Sequence, residues 1–295
     1  FPLTNAPDAD ADSIDDYIDA YPDNTNRAFN NPYPGEGQYA SLAFEDLWPS
    51  RGDYDFNDLV INYNYNPITN ANNLVTALEA RIKVRAIGAS FHNAFGVQLN
   101  IPQDKIASVS GQRFSTNILN VRANGTELNQ SSAVVFFFDD AFSILPYPGS
   151  GVGINTNEEA PYVEPVEVTV TITFTEPVSL AQLGPAPYNS FIVVDGRREV
   201  EIHLPGESPT DLADTSLFGT GDDDSDIASA KYYMSDDNLP WALNIPMNFE
   251  YPEEKRVITN TYLNFDQWAV SRGSQFNDWY EDKSGYKNIT FVYRR

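Results

Sequence analysis

Acidic side chains crowd into one stretch, Phe44 to Tyr63, whose sequence is FEDLWPSRGDYDFNDLVINY. Clustered carboxylates repel one another unless a cation lies between them, and calcium prefers oxygen ligands of this kind. The alternation of acidic and apolar residues lets one set of side chains converge from one side of a tight turn, for which Gly52 supplies backbone freedom. We therefore predict a calcium site with the candidate ligands Glu45, Asp46, Asp53, Asp55, Asn57 and Asp58.

A second acidic pattern, DADADSIDDYIDAYP, lies upstream at residues 8–22. Ser13 stands where a calcium loop normally has a glycine for its sharp turn, which should strain the backbone without removing a ligand. The stretch resembles a single thrombospondin type 3 repeat, and the alternative is a solvated acidic tail. Aligned with a calcium loop, every ligand position is filled by Asp8, Asp10, Asp12, the carbonyl of Ile14, Asp16 and Asp19.

Further acidic clusters are weaker candidates. Asp139 and Asp140 follow a strand that ends in three phenylalanines, and a strand end would hold them rigidly enough to bind a metal. The acidic loop at 222–226 and the pair Asp236 and Asp237 could also join the site of the first stretch, although the loop is equally typical of a solvated turn.

The bulk composition narrows the function classes. The 295 residues include 42 acidic and 18 basic side chains, a net charge of -24, which argues against binding nucleic acid or an anionic membrane surface. The chain has no cysteine and only two histidines, so disulfides and imidazole-rich metal sites are not expected. No run approaches the roughly 20 apolar residues of a membrane span. We expect that an export leader has been removed from the chain.

The motifs of the sequence give little support for an enzyme. The sequence contains no nucleophile elbow, P-loop or zinc-protease motif, and His92 and His203 are interpreted as structural. A glycoside hydrolase remains an alternative, because two carboxylates on a cleft suffice for that chemistry. The tryptophans Trp48, Trp241, Trp268 and Trp279 could stack on sugars, but most are expected in the core.

Short runs of alternating residues between Pro and Gly clusters predict the elements that position these side chains. The fold class is mainly β, a β-sandwich (jelly-roll-like) body with a late helix around Tyr262–Ala269 that Thr259 or Asn260 would cap. Strands are predicted at 59–65, 78–86, 95–101, 133–138, 166–174, 190–194 and 199–204.

Three regions are expected along the chain. Residues 1–39 would form the aspartate loop and an extended connector, and residues 40–205 the β-sandwich core. Residues 206–295 would carry loops, strands and the helix, and could complete the same β body.

The segments AFEDLWPSRGDYDFNDLVINYNYN, HNAFGVQL, LPWALNIP and TYLNFDQWAVSRGSQFNDWY together resemble the LruC-domain family of bacterial exported proteins. The resemblance covers the chain from about Ala43 onward and implies a place at the cell envelope, frequently behind a lipoprotein leader. It also implies calcium binding, with Glu45, Asp46, Asp53, Asp55 and Asp58 as the matching acidic positions. No enzymatic activity follows from it.

The sequence thus predicts a bacterial protein that is extracellular or held at the outer surface of the cell envelope, in which structural calcium stabilises a binding or structural module, for instance one for adhesion. The expected partner is a glycan or a surface protein. A carbohydrate-binding module is the first alternative, and a glycoside hydrolase is the second.

Overall fold

The computed structural model describes residues 7–88 and 90–295, which are mainly β. Short α-helices lie at α1 (Ala141–Ile144), α2 (Leu180–Leu183), α3 (Ile258–Thr261) and α4 (Phe265–Val270), and 3₁₀ turns at Gln103–Lys105, Thr215–Leu217, Ile227–Ser229 and Ile289–Phe291. The strands are β1 (Phe29–Asn30), β2 (Ala40–Phe44), β3 (Leu59–Thr69), β4 (Val75–Ala86), β5 (Ala94–Pro102), β6 (Ile106–Ser110), β7 (Ser132–Phe138), β8 (Glu167–Val178), β9 (Asn189–Val193), β10 (Glu201–His203) and β11 (Ala242–Ile245).

These strands form two antiparallel sheets. The larger has the order β11-β2-β3-β4-β8-β6, with β1 added to the end of β3, and the smaller has the order β10-β9-β5-β7. The long hairpin of β3 and β4 dominates the larger sheet and runs from Val60 opposite Ala86 to Thr69 opposite Val75. The architecture confirms the predicted mainly β sandwich.

A continuous apolar core lies between the sheets. Alternating burial along β4 and β8 directs one face of each strand into this core, as their period-2 sequences predict. Ring pairs such as Phe44 with Phe95, at 6.4 Å, and Tyr65 with Phe137, at 6.2 Å, connect the two layers. Each fully buried large apolar side chain contributes about 1.5–3 kcal/mol, so this core holds β2 and β3 firmly in place.

The outer face of β4 carries its basic side chains. Arg81 pairs with Glu79 at 2.9 Å, and Lys83 approaches Glu167 of β8 at 3.7 Å. Arg85 instead donates a hydrogen bond to the carbonyl of Phe249 at 2.8 Å. Arg81 and Lys83 therefore balance local acids on the solvated face of this strand.

A second core cluster covers part of the outer face of the larger sheet. Ala43, Val60 and Ala86 meet there with side chains from 239–279, while β11 pairs along β2 and extends the sheet. The predicted late helix is present as the two short helices α3 and α4, and neither begins at a side-chain cap. The expected caps at Thr259 and Asn260 are therefore wrong, because α3 already includes both residues.

Within the described residues 7–39, most of the N-terminal region has no helix or strand, and β1 is short. It joins the larger sheet where Phe29 and Asn30 pair with Thr69 and Ile68. Across residues 7–88 and 90–295, no helix has the length and apolar character needed to cross a membrane. The first six residues lie outside the described part of the chain.

Strand predictions fail where alternation is missing. Every residue of β2 is buried, so its sequence shows no polar face, and β6 and β11 are short. The strand predicted at 59–65 ends too early, because β3 continues to Thr69. Trp48, Trp241 and Trp279 are buried as expected, whereas Trp268 is only partly buried.

Candidate metal centre

The acidic stretch forms a loop that joins two paired strands. Phe44 at the end of β2 lies opposite Leu59 at the start of β3, so the loop leaves and re-enters the larger sheet at one place. We call residues 45–58 the clasp. Its two ends are fixed by the sandwich core, which limits where its carboxylates can lie.

Alternating backbone conformations separate the apolar and acidic side chains of the clasp. Gly52, Tyr54 and Phe56 all have left-handed φ angles, of 70°, 60° and 56°. The rings of Tyr54 and Phe56 pack on Phe265 of α4 at 6.1 and 5.7 Å, while Asp53 lies at the surface. A left-handed non-glycine residue costs about 1–3 kcal/mol, so this packing has to compensate for strain in the clasp.

Glu45 is the centre of the clasp. It is fully buried, and its carboxylate accepts hydrogen bonds from the backbone amides of Tyr54 at 3.1 Å and Phe56 at 2.5 Å. One carboxylate oxygen from each of Glu45, Asp53 and Asp55 lies within 4.8 Å of the others. The structure therefore brings together three of the ligands that the sequence predicts.

Burial makes these carboxyl groups reluctant to ionise. It raises the pKa of Glu45 well above its ordinary range, with the Asp55 charge as the next cause. Burial, followed by the charge of Asp53, raises the pKa of Asp55 to about 8. Among the described residues, no Lys, Arg or His forms a salt bridge with any clasp carboxylate. A cation bound among them would supply the missing charge.

Asp46 and Asp58 form the other half of the clasp. The amide of Asp46 donates to Asp58 Oδ2 at 2.9 Å, and Asn93 Nδ2 donates to Asp46 Oδ2 at 2.8 Å. Burial raises the pKa of Asp46 to about 6 and that of Asp58 well above its ordinary range.

Two buried oxygens of the clasp have no hydrogen-bond partner in the described part of the chain, Asp46 Oδ1 and Asn57 Oδ1. Buried acceptors are normally satisfied, so these atoms are available to a donor or a cation from outside the chain. The donor set consists of hard oxygen atoms only, which suits calcium or magnesium and not a soft metal. The clasp therefore fits calcium.

Two neighbours of the clasp were not predicted from the sequence. Gly88 follows β4, and a Cβ atom there would lie 1.9 Å from Asn57 Oδ1. Glu254 lines the same cleft as Asp46 and Asp53, and burial followed by the Asp53 charge raises its pKa. Neither has a local sequence signal, because their relation to the clasp arises only from the tertiary fold.

The N-terminal aspartate loop is the second acidic group. One carboxylate oxygen from each of Asp8, Asp10 and Asp12 lies within 4.8 Å of the others. Ser13 adopts a φ of 79°, the left-handed conformation that its glycine-like position requires, and its amide donates to Asp8 Oδ2 at 3.1 Å.

The other predicted ligands of this loop, Ile14, Asp16 and Asp19, lie outside this group of three carboxylates. Asp16 accepts from the amide of Ala9 at 2.9 Å, and the amide of Ile14 donates to Asp12 at 2.8 Å. Asp19 accepts from the amide of Tyr21 at 2.6 Å. In this loop, Asp10 Oδ2, Asp12 Oδ2 and Asp19 Oδ2 are buried and have no hydrogen-bond partner among the described residues.

Asp139 and Asp140 have other roles. Asp139 accepts four hydrogen bonds from the amides and hydroxyls of Ser115 and Thr116, which outweigh burial and lower its pKa. Asp140 caps α1 and lies 3.0 Å from His92 Nδ1. The structure places neither in the two acidic groups, so metal binding by this pair stays a prediction.

Comparison with known proteins shows where this fold occurs. The crystal structure of a "putative lipoprotein" from Bacteroides ovatus is similar, with a TM-score of 0.63 and 19% sequence identity. The alignment covers 90% of this chain and 76% of that protein, and at this identity it shows a shared fold alone. No curated protein matches the chain significantly.

The amino-acid sequence also matches a family model, which is more direct evidence of relationship than a similar fold. The model of a domain of unknown function, DUF4842, matches residues 73–280, which include β4 through α4. The match spans well over half of the 295 residues, so the chain belongs to the DUF4842 family.

Proposed function

We propose that this chain is a calcium-stabilised module of the bacterial cell envelope or of the secreted protein pool, in which calcium has a structural role. One observation carries the proposal: Glu45, Asp53 and Asp55 converge within 4.8 Å, two of them buried, with no salt bridge to any of them among the described residues. A cation held there would neutralise the clasp and link ion binding to folding.

The location rests on two resemblances. The clasp sequence resembles that of the LruC-domain family, which implies export, and the Bacteroides ovatus protein of similar fold is described as a "putative lipoprotein". An anchor through a lipoprotein leader is part of this proposal. The resemblance of residues 8–22 to a thrombospondin type 3 repeat supports a second calcium ion in the N-terminal loop, where Asp8, Asp10 and Asp12 converge.

Thermal unfolding tests the structural role of calcium. We expect the midpoint to rise by several degrees between excess chelator and millimolar calcium, because calcium binds the folded clasp and not the unfolded chain. The double substitution Asp53→Asn and Asp55→Asn should remove most of this rise. Asp237→Asn, at an exposed loop position, is the matched control and should leave it intact. A midpoint of the original protein that is the same in excess chelator and in calcium would contradict the proposal.

Glycoside hydrolysis is a second candidate with an observation in its favour. Asp46 and Asp58 line one cleft, and burial raises the pKa of Asp46 to about 6, a value suited to a general acid. Chromogenic glycosides provide the test. Release of the chromophore by the original protein, together with its loss in Asp46→Asn but not in Asp237→Asn, would favour hydrolysis over a purely structural role.

A further inference from the structure

A cleft of about 720 Å³ opens beside the clasp. Its lining includes four carboxylates, Asp46, Asp53, Asp58 and Glu254. This volume lies within the usual range for sites that hold small molecules, about 300–1,000 Å³. The clasp is therefore accessible to a ligand as well as to an ion.

The cleft and the three-carboxylate group share Asp53. Glu45 and Asp55 are buried behind it, whereas Asp53 is exposed and lines the cleft. Calcium takes six to eight oxygen ligands, and three carboxylates leave coordination positions to be filled from the accessible side. Asp46 supplies an independent sign of a missing partner, because it lines the cleft, is 1% exposed and has an Oδ1 atom without a hydrogen bond among the described residues.

The polar part of the lining selects the hydrogen-bonding character of a ligand. Ionised carboxylates only accept hydrogen bonds, and the Tyr147 hydroxyl already donates to the carbonyl of Gly151 at 2.9 Å. A ligand that satisfies these acceptors must bring donors, which means hydroxyl or ammonium groups. Four carboxylates in a chain with a net charge of -24 also disfavour an anion.

The apolar part of the lining selects the shape of a ligand. Phe91, Phe142 and Tyr147 contribute rings to the cleft, and Val152 adds an aliphatic surface. Tyr147 and Val152 are 49% and 51% exposed, so they present apolar surface that the fold itself does not use. Such rings pack well against the C–H face of a sugar while its hydroxyls point toward polar groups.

We propose that the cleft binds a neutral sugar, two of whose adjacent hydroxyls fill coordination positions of the clasp cation. The hydroxyl protons are donated to the cleft carboxylates, and the ring packs against the aromatic side chains. An ammonium group cannot fill these coordination positions, because its nitrogen has no free lone pair to offer the cation. This inference rests on the proposed calcium binding by the clasp.

Isothermal titration with methyl glycosides of mannose, galactose, glucose and fucose tests the inference, with matched deoxy glycosides that lack one of the adjacent hydroxyls. Calcium is titrated first into the same protein. We expect calcium-dependent binding of at least one glycoside, its loss in excess chelator, and at least tenfold weaker binding of the matched deoxy sugar. Tyr147→Ala should weaken glycoside binding at least fivefold while calcium affinity stays unchanged.

Phe114→Ala is the matched control, because Phe114 is also an exposed aromatic residue but does not line the cleft. It should leave glycoside binding intact. Absence of calcium binding would overturn the proposed function itself. Calcium binding without binding of any glycoside would overturn only the sugar site. Glycoside binding that persists in chelator, or binding of spermidine in chelator with no glycoside binding in calcium, would also overturn it.

Discussion

Gly88 follows β4 and lies against the clasp, where its amide donates to the carbonyl of Asp58 at 3.2 Å. A Cβ atom at this position would lie 1.9 Å from Asn57 Oδ1 and 2.9 Å from the Asn57 carbonyl oxygen. Gly88→Ala should therefore displace Asn57 and destabilise the protein by about 1–3 kcal/mol, in the range of overpacked sites. It should also weaken calcium binding by the clasp.

Chemical denaturation and calcium titration would measure both effects of Gly88→Ala. Gly35→Ala is the control, because a Cβ atom there would meet only the side chain of Gln38, at 3.1 Å. Equal stability and equal calcium affinity of the two variants would contradict the role assigned to Gly88.

The buried carboxyls of the clasp predict an unusual pH dependence in the absence of calcium. The pKa of Asp46 is raised to about 6 and that of Asp55 to about 8 in the folded chain, whereas an ordinary carboxyl group has a pKa of about 4. Above about pH 4 and up to about pH 8, the folded chain therefore binds more protons than the unfolded chain. The free energy of unfolding in excess chelator should therefore fall as pH rises from about 5 to about 8. With calcium, which binds the ionised carboxylates, the stabilisation by the ion should grow over the same range.

Thermal midpoints at several pH values, with and without chelator, would measure this dependence. Asp55→Asn should flatten the slope in chelator, because it removes one of the raised pKa values. A midpoint in chelator that rises with pH would contradict the prediction.

Sequence reasoning at the level of single residues could identify ligands that are close together in the chain. The alternation of Asp53 and Asp55 predicts that their carboxylates lie close together, because alternate residues of a tight turn can point to the same side, and the structure places them in one group. Glu254 and Asn93 could not be found in this way, since Asn93 reaches Asp46 at 2.8 Å only after β5 and β2 are in place.

At the scale of elements, α4 determines the shape of the clasp. The ring of Phe265 packs on Tyr54 and Phe56 and lies 4.9 Å from the ring of Trp279. Phe265→Ala should cost about 3–5 kcal/mol, as expected for loss of a buried ring. Calcium affinity should fall as well, because Tyr54 and Phe56 would lose the packing that offsets their left-handed backbone.

Val270→Ala provides the control for this variant. Val270 ends the same helix and is 49% exposed, so its truncation should change neither stability nor calcium affinity by much. If Phe265→Ala lowers stability but leaves calcium affinity equal to that of Val270→Ala, the clasp does not depend on this packing.

The N-terminal loop should bind its ion independently of the clasp. It joins the larger sheet through β1, and its own hydrogen bonds are mostly internal. The double substitution Asp10→Asn and Asp12→Asn should remove one calcium ion per chain in a titration and shift the main thermal midpoint only slightly. A large loss of midpoint, or an unchanged number of bound ions, would show that the loop and the clasp are not separate sites.

Element prediction succeeded where one face of a strand is buried and the other is solvated. β4 and β8 follow that rule and were predicted within a few residues of their ends. β2 breaks it, because the second core cluster covers the face that would otherwise be polar. The single late helix became α3 and α4, because the chain leaves helical geometry at Tyr262 and re-enters it at Phe265.

At the scale of the whole molecule, charge and core act against each other. The net charge of -24 opposes compaction. The clasp concentrates part of that charge where β2 ends and β3 begins. The two core clusters meet at this point, since β2 and β3 contribute to both. A cation in the clasp would thus stabilise the place where the sandwich and its C-terminal cover join.

The effect of bound calcium on the thermal midpoint can be separated from general charge screening by comparing sodium, magnesium and calcium chloride. Sodium chloride alone gives the effect of ionic strength, and the divalent salts are compared with it at equal ionic strength. Sodium chloride should raise the thermal midpoint modestly in chelator, because it screens the repulsion among exposed carboxylates. Calcium at a hundred times its Kd should add about 2.7 kcal/mol, which for a chain of 295 residues corresponds to a further rise of roughly 4 °C. Magnesium should add less, because it keeps its water and demands a stricter geometry. In the Asp53→Asn and Asp55→Asn double variant the sodium effect should persist while the calcium effect is lost, and midpoints that depend only on ionic strength would contradict a specific site.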